Sequence, residues 1–199
     1  MNFIFALLLL LVIGFLSLQS YRAFAGTRTE QQPYTVIEKN KDFEIRWYPP
    51  AMMATLQSKA KTFRSMGYTG FRKLAGYIFG NNASGAKIAM TAPVHMDMNE
   101  SKPSMSFVMP SKYNDGQLPV PNDPDVRIEK SQEEYVAAIR FGGFVSDKDI
   151  TYYSEKLDRL LKEKGIRHLG NFRYLGYNPP FQLIGRRNEI IVTILRDHI

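Results

Sequence analysis

The side chains best suited to binding chemistry in this sequence are basic, and they are concentrated in one stretch. No acidic residue occurs between Glu44 and Asp97. The stretch contains seven basic residues: Arg46, Lys59, Lys61, Arg64, Arg72, Lys73 and Lys87. The other basic residues balance the 19 acidic ones, so the stretch carries the whole formal net charge of +7. Clustered positive charge attracts anions, whether nucleic acid, membrane surface or acidic small molecule, although a solvated face without a ligand is the alternative.

The same region supplies soft apolar side chains and a histidine. Six of the nine methionines lie here or directly beside it, and two of them, Met90 and Met96, are assigned to a ligand pocket. Methionine commonly fills cores, but its flexible thioether also suits a pocket for a large, flat, apolar ligand. His95 is the candidate metal ligand, although a single histidine is more often a core residue with satisfied hydrogen bonds.

The sequence lacks the usual signatures of catalysis. Without cysteine it cannot form disulfides, thiolate nucleophiles, iron–sulfur clusters or cysteine-ligated zinc and haem sites. It contains no nucleophile elbow, zinc-protease helix, Walker loop or dinucleotide-binding glycine pattern. No carboxylate pair suited to acid–base chemistry is identifiable. We therefore expect a protein that binds a ligand and is not an enzyme.

The N-terminus has the pattern of a targeting segment. Residues 3–18 form an apolar run, FIFALLLLLVIGFLSL, and residues 23–25 read Ala-Phe-Ala, a small-x-small cleavage pattern. The pattern predicts a signal peptide at residues 1–25, a polar linker at 26–33 and one domain at 34–199, in a periplasmic or secreted protein. Because no basic residue precedes the apolar run, an uncleaved membrane anchor is the alternative.

The remaining chain indicates one α+β domain in which a unit of strand, strand, helix, strand, strand occurs twice. In each half, an alternating segment is followed by a turn-forming pair and a second apolar stretch. The turns are Pro49-Pro50 and Gly142-Gly143. After the two helices, strands are expected at Lys87–Met96 and 104–110, and at 171–178 and 188–195. Two such halves would pack into one strongly curved antiparallel sheet or open barrel, with the helices against it.

Both helices have recognisable ends. The first is predicted to begin after an N-cap at Thr69 and to stop at Gly80, with an apolar stripe between them. The second is predicted over Asp147 to Lys164, with Gly165 as its C-terminal stop.

Several motifs resemble those of the SOUL haem-binding protein family. They are GFRKLAGYIFGNN at 70–82, KIAMTAPV at 87–94, FGGF at 141–144, and GYNPPF followed by GRRNEI between 176 and 190. Their order and spacing match as well, and the resemblance extends from about residue 34 to the end. It implies a distorted, pseudo-two-fold β-barrel flanked by two helices, similar to the effector-binding domains of some transcription regulators.

The resemblance also implies reversible binding of haem or another tetrapyrrole in a shallow hydrophobic groove beside the first helix, often without a strong axial ligand. A porphyrin needs an apolar surface for its ring and cations for its two propionates. The first helix offers both, with Arg72 or Arg64 and Lys73 as the cations. On the same side, Gly76 permits close approach and Tyr77 is available for stacking. We expect a monomeric carrier or buffer of haem.

Three other functions are left open by these residues. The same groove could bind a different amphipathic anion, such as a lipid or a bile-pigment-like molecule. An enzyme that modifies tetrapyrroles is a second alternative, although no acid–base pair is identifiable for it. Nucleic-acid binding is disfavoured because the chain carries an export signal and no recognition motif.

Overall fold

The computed structural model describes residues 4–5, 7–15, 17, 29–60, 62–98, 102–113 and 116–195. From residue 35 onward, these residues form nine strands and two helices. The strands are β1 (Thr35–Lys39), β2 (Glu44–Tyr48), β3 (Met52–Gln57), β4 (Val94–Asp97), β5 (Ser104–Val108), β6 (Val126–Lys130), β7 (Glu134–Phe141), β8 (His168–Gly176) and β9 (Asn188–Ile194). The helices are α1 (Phe63–Ile78) and α2 (Asp147–Glu163).

The N-terminal apolar run is described only in part. Residues 7–15 are helical, and their side chains are exposed. Among the described residues, no helix is both long enough and apolar enough to cross a membrane. The Ala-Phe-Ala cleavage pattern at 23–25 lies outside the described residues.

All nine strands belong to one antiparallel sheet with the order β1-β2-β7-β9-β8-β4-β5-β3-β6. The expected antiparallel α+β architecture is confirmed, but the sheet does not close into the distorted β-barrel that the family resemblance implied. The sheet is open, because its edge strands β1 and β6 do not pair with each other. The predicted repeat of two similar halves stays a prediction.

Strands from the first and second parts of the chain are interleaved in blocks across the sheet. β2 pairs with β7 across about 90 residues of sequence, and β3 pairs with β6 across about 75. The last strand, β9, lies between β7 and β8 in the interior of the sheet. The first and last parts of the sequence are therefore interlocked in one sheet.

The two faces of the sheet carry separate apolar clusters. Alternation along β7 sends Ala137 and Ile139 to the face covered by α1 and α2, where the main core lies. Val136 and Ala138 point to the opposite face, which we call the outer face. A smaller cluster there includes Tyr48 and is buried without a covering helix.

Helix α1 begins earlier than the sequence analysis expected. Thr62, not Thr69, is the N-cap, and its side chain accepts a hydrogen bond from the Ser65 amide in a capping box. Thr69 lies within the helix and donates to the Ser65 carbonyl at 2.8 Å. The predicted C-terminal stop is correct, since Gly80 follows the helix with φ of 115°. The prediction for α2 is correct to within one residue.

Two predicted strands are also corrected. The stretch after Gly142-Gly143 forms no strand, because Ser146 caps α2 only a few residues later. The second part of the chain uses β6 and β7 as separate strands instead. Only the end of the predicted Lys87–Met96 strand joins the ladder, because β4 starts after Pro93, which has no N–H to donate.

Candidate functional site

The exposed side of α1 carries an aromatic ring between two arginines. Arg64, Tyr68 and Arg72 are spaced four residues apart, so they lie along one face of the helix. All three are exposed, Tyr68 at 72% of its surface. The Arg72 guanidinium carbon lies 5.8 Å from the centre of the Tyr68 ring. We call these three residues the outer stripe.

A group of exposed apolar side chains lies on two loops next to the start of α2. Phe144 precedes the helix, and Phe181, Leu183 and Ile184 belong to the loop between β8 and β9. The loops are in contact, because the Arg186 guanidinium carbon lies 4.8 Å from the centre of the Phe144 ring. We call these four apolar residues the apolar tip. Each is at least 45% exposed, so their surface is available to a ligand.

Internal hydrogen bonds hold the β8–β9 loop in a fixed shape. The buried amide of Gln182 donates to the Ile184 carbonyl at 2.9 Å and accepts from Asn178 at 3.1 Å. Arg186 Nη1 donates to the carbonyls of Pro179 and Gln182, both at 2.8 Å. Because these groups satisfy the loop backbone, the apolar tip is presented on an ordered support.

The start of α1 is close to the same end of the molecule. The backbone N–H of Phe63 donates to the Asp147 carboxylate at 2.7 Å, which joins the first turn of α1 to the first turn of α2. Asp147 is three residues from Phe144, so the outer stripe begins near the loop that carries part of the apolar tip. An exposed apolar surface and Arg64 thus lie at one end of the molecule, and Arg72 lies about two turns further along α1.

Lys73 lies on α1 but differs from the two arginines in its partners. Its ammonium forms ion pairs with Asp125 and, at 3.2 Å, with Asp123. Hydrogen bonds to these two carboxylates raise the pKa of Lys73, and the bond to Lys73 lowers the pKa of Asp125. The positive charge of Lys73 is therefore largely neutralised within the protein.

The remaining predicted pocket residues on and near α1 are mostly buried. Tyr77 does not face outward as expected, because it lies three residues after Leu74 and shares its core-facing side. Its side chain is buried and donates to the Pro119 carbonyl at 2.9 Å. Met96 is buried in the main core, and Met90 packs against that core while half-buried. Gly76 is half-buried and is not crowded, since a Cβ there would meet only Asn81 at 3.9 Å.

His95 is buried on β4 with its Nε2 atom 2.7 Å from the side-chain oxygen of Gln32. Burial, with a smaller contribution from the charge of Arg173, lowers the pKa of His95 to about 3. The described residues contain no group of three or more side chains suited to binding a metal ion. The arrangement gives His95 a buried hydrogen-bonding role, and its predicted role as an axial ligand stays a prediction.

Arg46 is part of a buried ion-pair network. Its Nη1 lies 2.7 Å from the Glu189 carboxylate, and its Nη2 lies 2.8 Å from Glu44. Arg187 pairs with the other oxygen of Glu189 at 2.8 Å. Burial alone would raise the pKa of Glu189, but Arg46 and Arg187 outweigh it and lower that pKa. The seven-cation stretch is therefore divided, because Arg46 is held in this buried network and Lys73 is neutralised.

A cavity of about 390 Å³ lies away from α1. Its walls come from residues 30–33, the end of β5 and the start of β3, and include Met52, Met109 and Tyr113. Lys130 and Glu30 are its charged lining residues. With one charge of each sign, the cavity has no net preference for an anion.

Sequence reasoning missed Tyr68 and the apolar tip. The sequence does contain a signal for Tyr68, because Arg64 and Arg72 lie four residues before and after it, which is helical spacing. Sequence reasoning missed this pattern because Tyr68 lies before Thr69, where α1 was predicted to begin. Phe144 and Phe181 lie in the FGGF and GYNPPF motifs, but nothing in these motifs indicates that the two rings are exposed. The segment Pro-Pro-Phe-Gln-Leu-Ile-Gly does not reveal that its one polar side chain, Gln182, is buried while the apolar ones are exposed.

Solved structures share this fold at low sequence identity. The C-terminal domain of EcmrR superposes with a TM-score of 0.56 and 10% identity, covering 81% of this chain and 98% of that one. An uncharacterized conserved protein from Listeria innocua gives the same TM-score and identity, covering 78% and 93%. At such identity these similarities concern the fold alone.

Curated proteins are more similar in sequence. Heme-binding protein 2 of Mus musculus is 35% identical over 156 residues, which cover 74% of this chain and 76% of that protein. Heme-binding protein 1 of Xenopus laevis is 28% identical over 155 residues, covering 74% and 81%. The family model described as SOUL heme-binding protein matches residues 29–193. Since that match spans the whole folded domain and the curated relatives align over most of their length, the chain belongs to the SOUL heme-binding protein family.

Proposed function

We propose that this protein binds haem or a related tetrapyrrole reversibly, with the ring lying over the outer stripe of α1. The family membership and the names of the curated relatives support haem as the ligand. The observation that carries the proposed position is the exposed Tyr68 ring between two arginines. A porphyrin presents a flat aromatic surface and two carboxylates, and the stripe offers a ring and two guanidinium groups to match them.

The charges of the described residues favour the outer stripe over the 390 Å³ cavity. Neither Arg64 nor Arg72 pairs with a carboxylate in the described part of the chain, so both are available to propionates. The cavity is lined by Lys130 together with Glu30, whose charges cancel and give no net attraction for a dianion. We therefore place the propionates at Arg64 and Arg72, with Lys73 restrained by its aspartates.

Apolar contact must supply most of the affinity. Exposed ion pairs contribute about 0 to 1 kcal/mol each, whereas burial of apolar surface contributes roughly 25 cal/mol per Å². Tyr68 alone provides too little surface. We infer that the apolar tip provides the remaining surface, since its side chains are exposed and its loop is rigid.

The proposed role is carrying or buffering, without catalysis. Chemistry at haem iron generally requires a fixed axial ligand and a shaped distal pocket. His95 is buried and hydrogen-bonded to Gln32, and the described residues present no metal-binding cluster on the outer stripe. Reversible binding through the ring and its propionates fits these residues.

A haemin titration of the full chain, followed by the Soret absorption, tests this function. The double substitution Arg64→Glu and Arg72→Glu should weaken haemin binding at least tenfold, or about 1.4 kcal/mol, because two attractive contacts become repulsive. The matched control is Lys162→Glu with Lys164→Glu, which makes the same charge change on the exposed side of α2. Equal weakening by both pairs would refute the propionate assignment.

The same titration separates haem from other amphipathic anions. Saturation by haemin with a Soret shift supports a tetrapyrrole ligand. Saturation by a fatty acid or bile pigment, with no Soret shift on adding haemin, would assign the surface to a different anion. Formation of a modified tetrapyrrole over time would instead identify an enzyme.

We further propose that the protein is exported, with residues 1–25 acting as a signal peptide or as an anchor. The apolar run at 3–18 and the small-x-small pattern at 23–25 support this proposal. Mass spectrometry of protein recovered from its native host tests it. A mature chain beginning at Gly26 indicates cleavage, whereas an intact N-terminus in the membrane fraction indicates an anchor.

A further inference from the structure

The outer face of the sheet carries a second concave surface, which the proposed haem site does not use. A cavity of about 250 Å³ lies where the β1–β2 turn meets β2 and β7. Its lining is mainly polar and includes five cations: Lys39, Lys41, Arg46, Arg140 and Arg187. Only two carboxylates, Asp42 and Glu44, line the same cavity.

The buried ion-pair network adjoins this cavity and fixes two of its lining cations. Arg46 and Arg187 are both held by Glu189, which is fully buried, and Glu44 supplies a second carboxylate to Arg46. Arg187 also donates to the Tyr34 hydroxyl at 3.0 Å. The two arginines and two glutamates of this network carry no net charge, and their hydrogen bonds hold them in fixed positions. The network therefore forms a preformed polar wall of the cavity.

The other three cations of the cavity are not held by carboxylates of the described residues. Lys39, Lys41 and Arg140 form no ion pair within the part of the chain that the structure describes. Asp42, the remaining carboxylate, is directed to Lys156 at 3.2 Å. Arg140 and Glu189 are opposite each other in the β7–β9 register, which places the Arg140 side chain on the outer face beside the network. The cavity therefore carries an excess of positive charge.

We propose that this cavity binds a small anion bearing phosphate groups, independently of the haem site. Three cations favour a multivalent anion over a single carboxylate, and guanidinium groups bind phosphate oxygens in bidentate fashion. The cavity of about 250 Å³ has room for a diphosphate-sized group. The phosphate groups could belong to a free metabolite or to a phosphorylated lipid headgroup, since both offer the same chemistry.

Calorimetric titration of the full chain with inorganic pyrophosphate tests the free-anion form. We expect saturable binding with one site per chain. The double substitution Lys41→Gln and Arg140→Gln should weaken it at least tenfold, while haemin binding and the far-UV spectrum stay unchanged. The control pair Lys162→Gln and Lys164→Gln removes the same charge from α2 and should leave pyrophosphate binding within about twofold of wild type.

A parallel arm uses vesicles of phosphatidylcholine with and without a phosphatidylinositol bisphosphate. The protein carries its N-terminal apolar run in the assays with and without the phosphoinositide. The measured quantity is therefore the additional vesicle binding that the phosphoinositide causes. Extra binding that is lost in the Lys41 and Arg140 variant assigns the cavity to a lipid headgroup. The proposal is overturned if neither probe binds saturably, or if the α2 control weakens binding as much as the cavity variant.

Discussion

The role of each charged or titratable residue in this protein depends on which residues contact it in the folded structure. Lys73 and Arg72 are adjacent in sequence, yet Lys73 is held by two aspartates while Arg72 lies against an exposed tyrosine. The sequence shows the cluster of cations but not this division, because Asp123 and Asp125 lie some 50 residues away. Only the fold shows which of the cations are available to a ligand.

The buried imidazole of His95 leads to a prediction about acid stability. Its pKa is about 3 in the folded protein and near 6.5 when unfolded, so the unfolded chain binds more protons between these values. His95 should therefore contribute a loss of stability as pH falls below 6.5, at most about 1.4 kcal/mol per pH unit. At higher pH the contribution is constant.

Urea unfolding of wild type and His95→Asn at pH 7 and pH 5 measures this contribution. Wild type should lose roughly 2 kcal/mol more than the variant between the two pH values. The comparison cancels the other groups that titrate in this range. If the free energy of unfolding falls by the same amount in wild type and variant, protonation of His95 does not destabilise the folded protein.

The start of a helix was predicted correctly where no glycine lies in its first turns. Ser146 and Gly165 bracket α2, no glycine lies between them, and its bounds were predicted to within one residue. For α1, Thr62 and Thr69 are both of a residue type that caps helices, and the helix-disfavouring Gly67 and Gly70 follow Thr62. Gly70 instead permits close packing, since a Cβ there would lie 3.3 Å from the sulfur of Met105.

The two threonines of α1 give a prediction with an internal control. Thr62→Ala should lower the free energy of unfolding by about 1 kcal/mol, because the Ser65 amide loses its capping partner. Thr69→Ala should change it by no more than a few tenths of a kcal/mol, since alanine suits an exposed helix interior. Urea unfolding of both variants checks the assignment, and the reverse ranking would move the start of α1 to Thr69.

On the scale of the whole molecule, the sequence predicted the class of the fold but not the pairing of its strands. Alternation along β2 and β7 identifies which side chains are buried together. It does not identify the neighbouring strand, because any strand with an apolar face could pair equally well. The pairing of β2 with β7 and of β3 with β6 therefore emerged only from the structure.

This interlocked pairing predicts a single unfolding transition. Trp47, the one tryptophan of the chain, lies on β2 opposite Tyr135 of β7 and reports on that junction. Its fluorescence and the far-UV circular dichroism should give the same urea midpoint, because neither half retains its sheet without the other. A lower midpoint for Trp47 would show that the two halves unfold separately.

The interior position of β9 has a consequence for synthesis of the protein on the ribosome. β9 is made after the other eight described strands, yet it alone joins the β1-β2-β7 segment of the sheet to the β8-β4-β5-β3-β6 segment. A nascent chain that stops before residue 188 would hold two sheet fragments with open edges, which are substrates for chaperones and proteases. We therefore expect this protein to complete its sheet only after translation has passed β9. In chains terminated earlier, chaperones and proteases would recognise the unpaired strand edges.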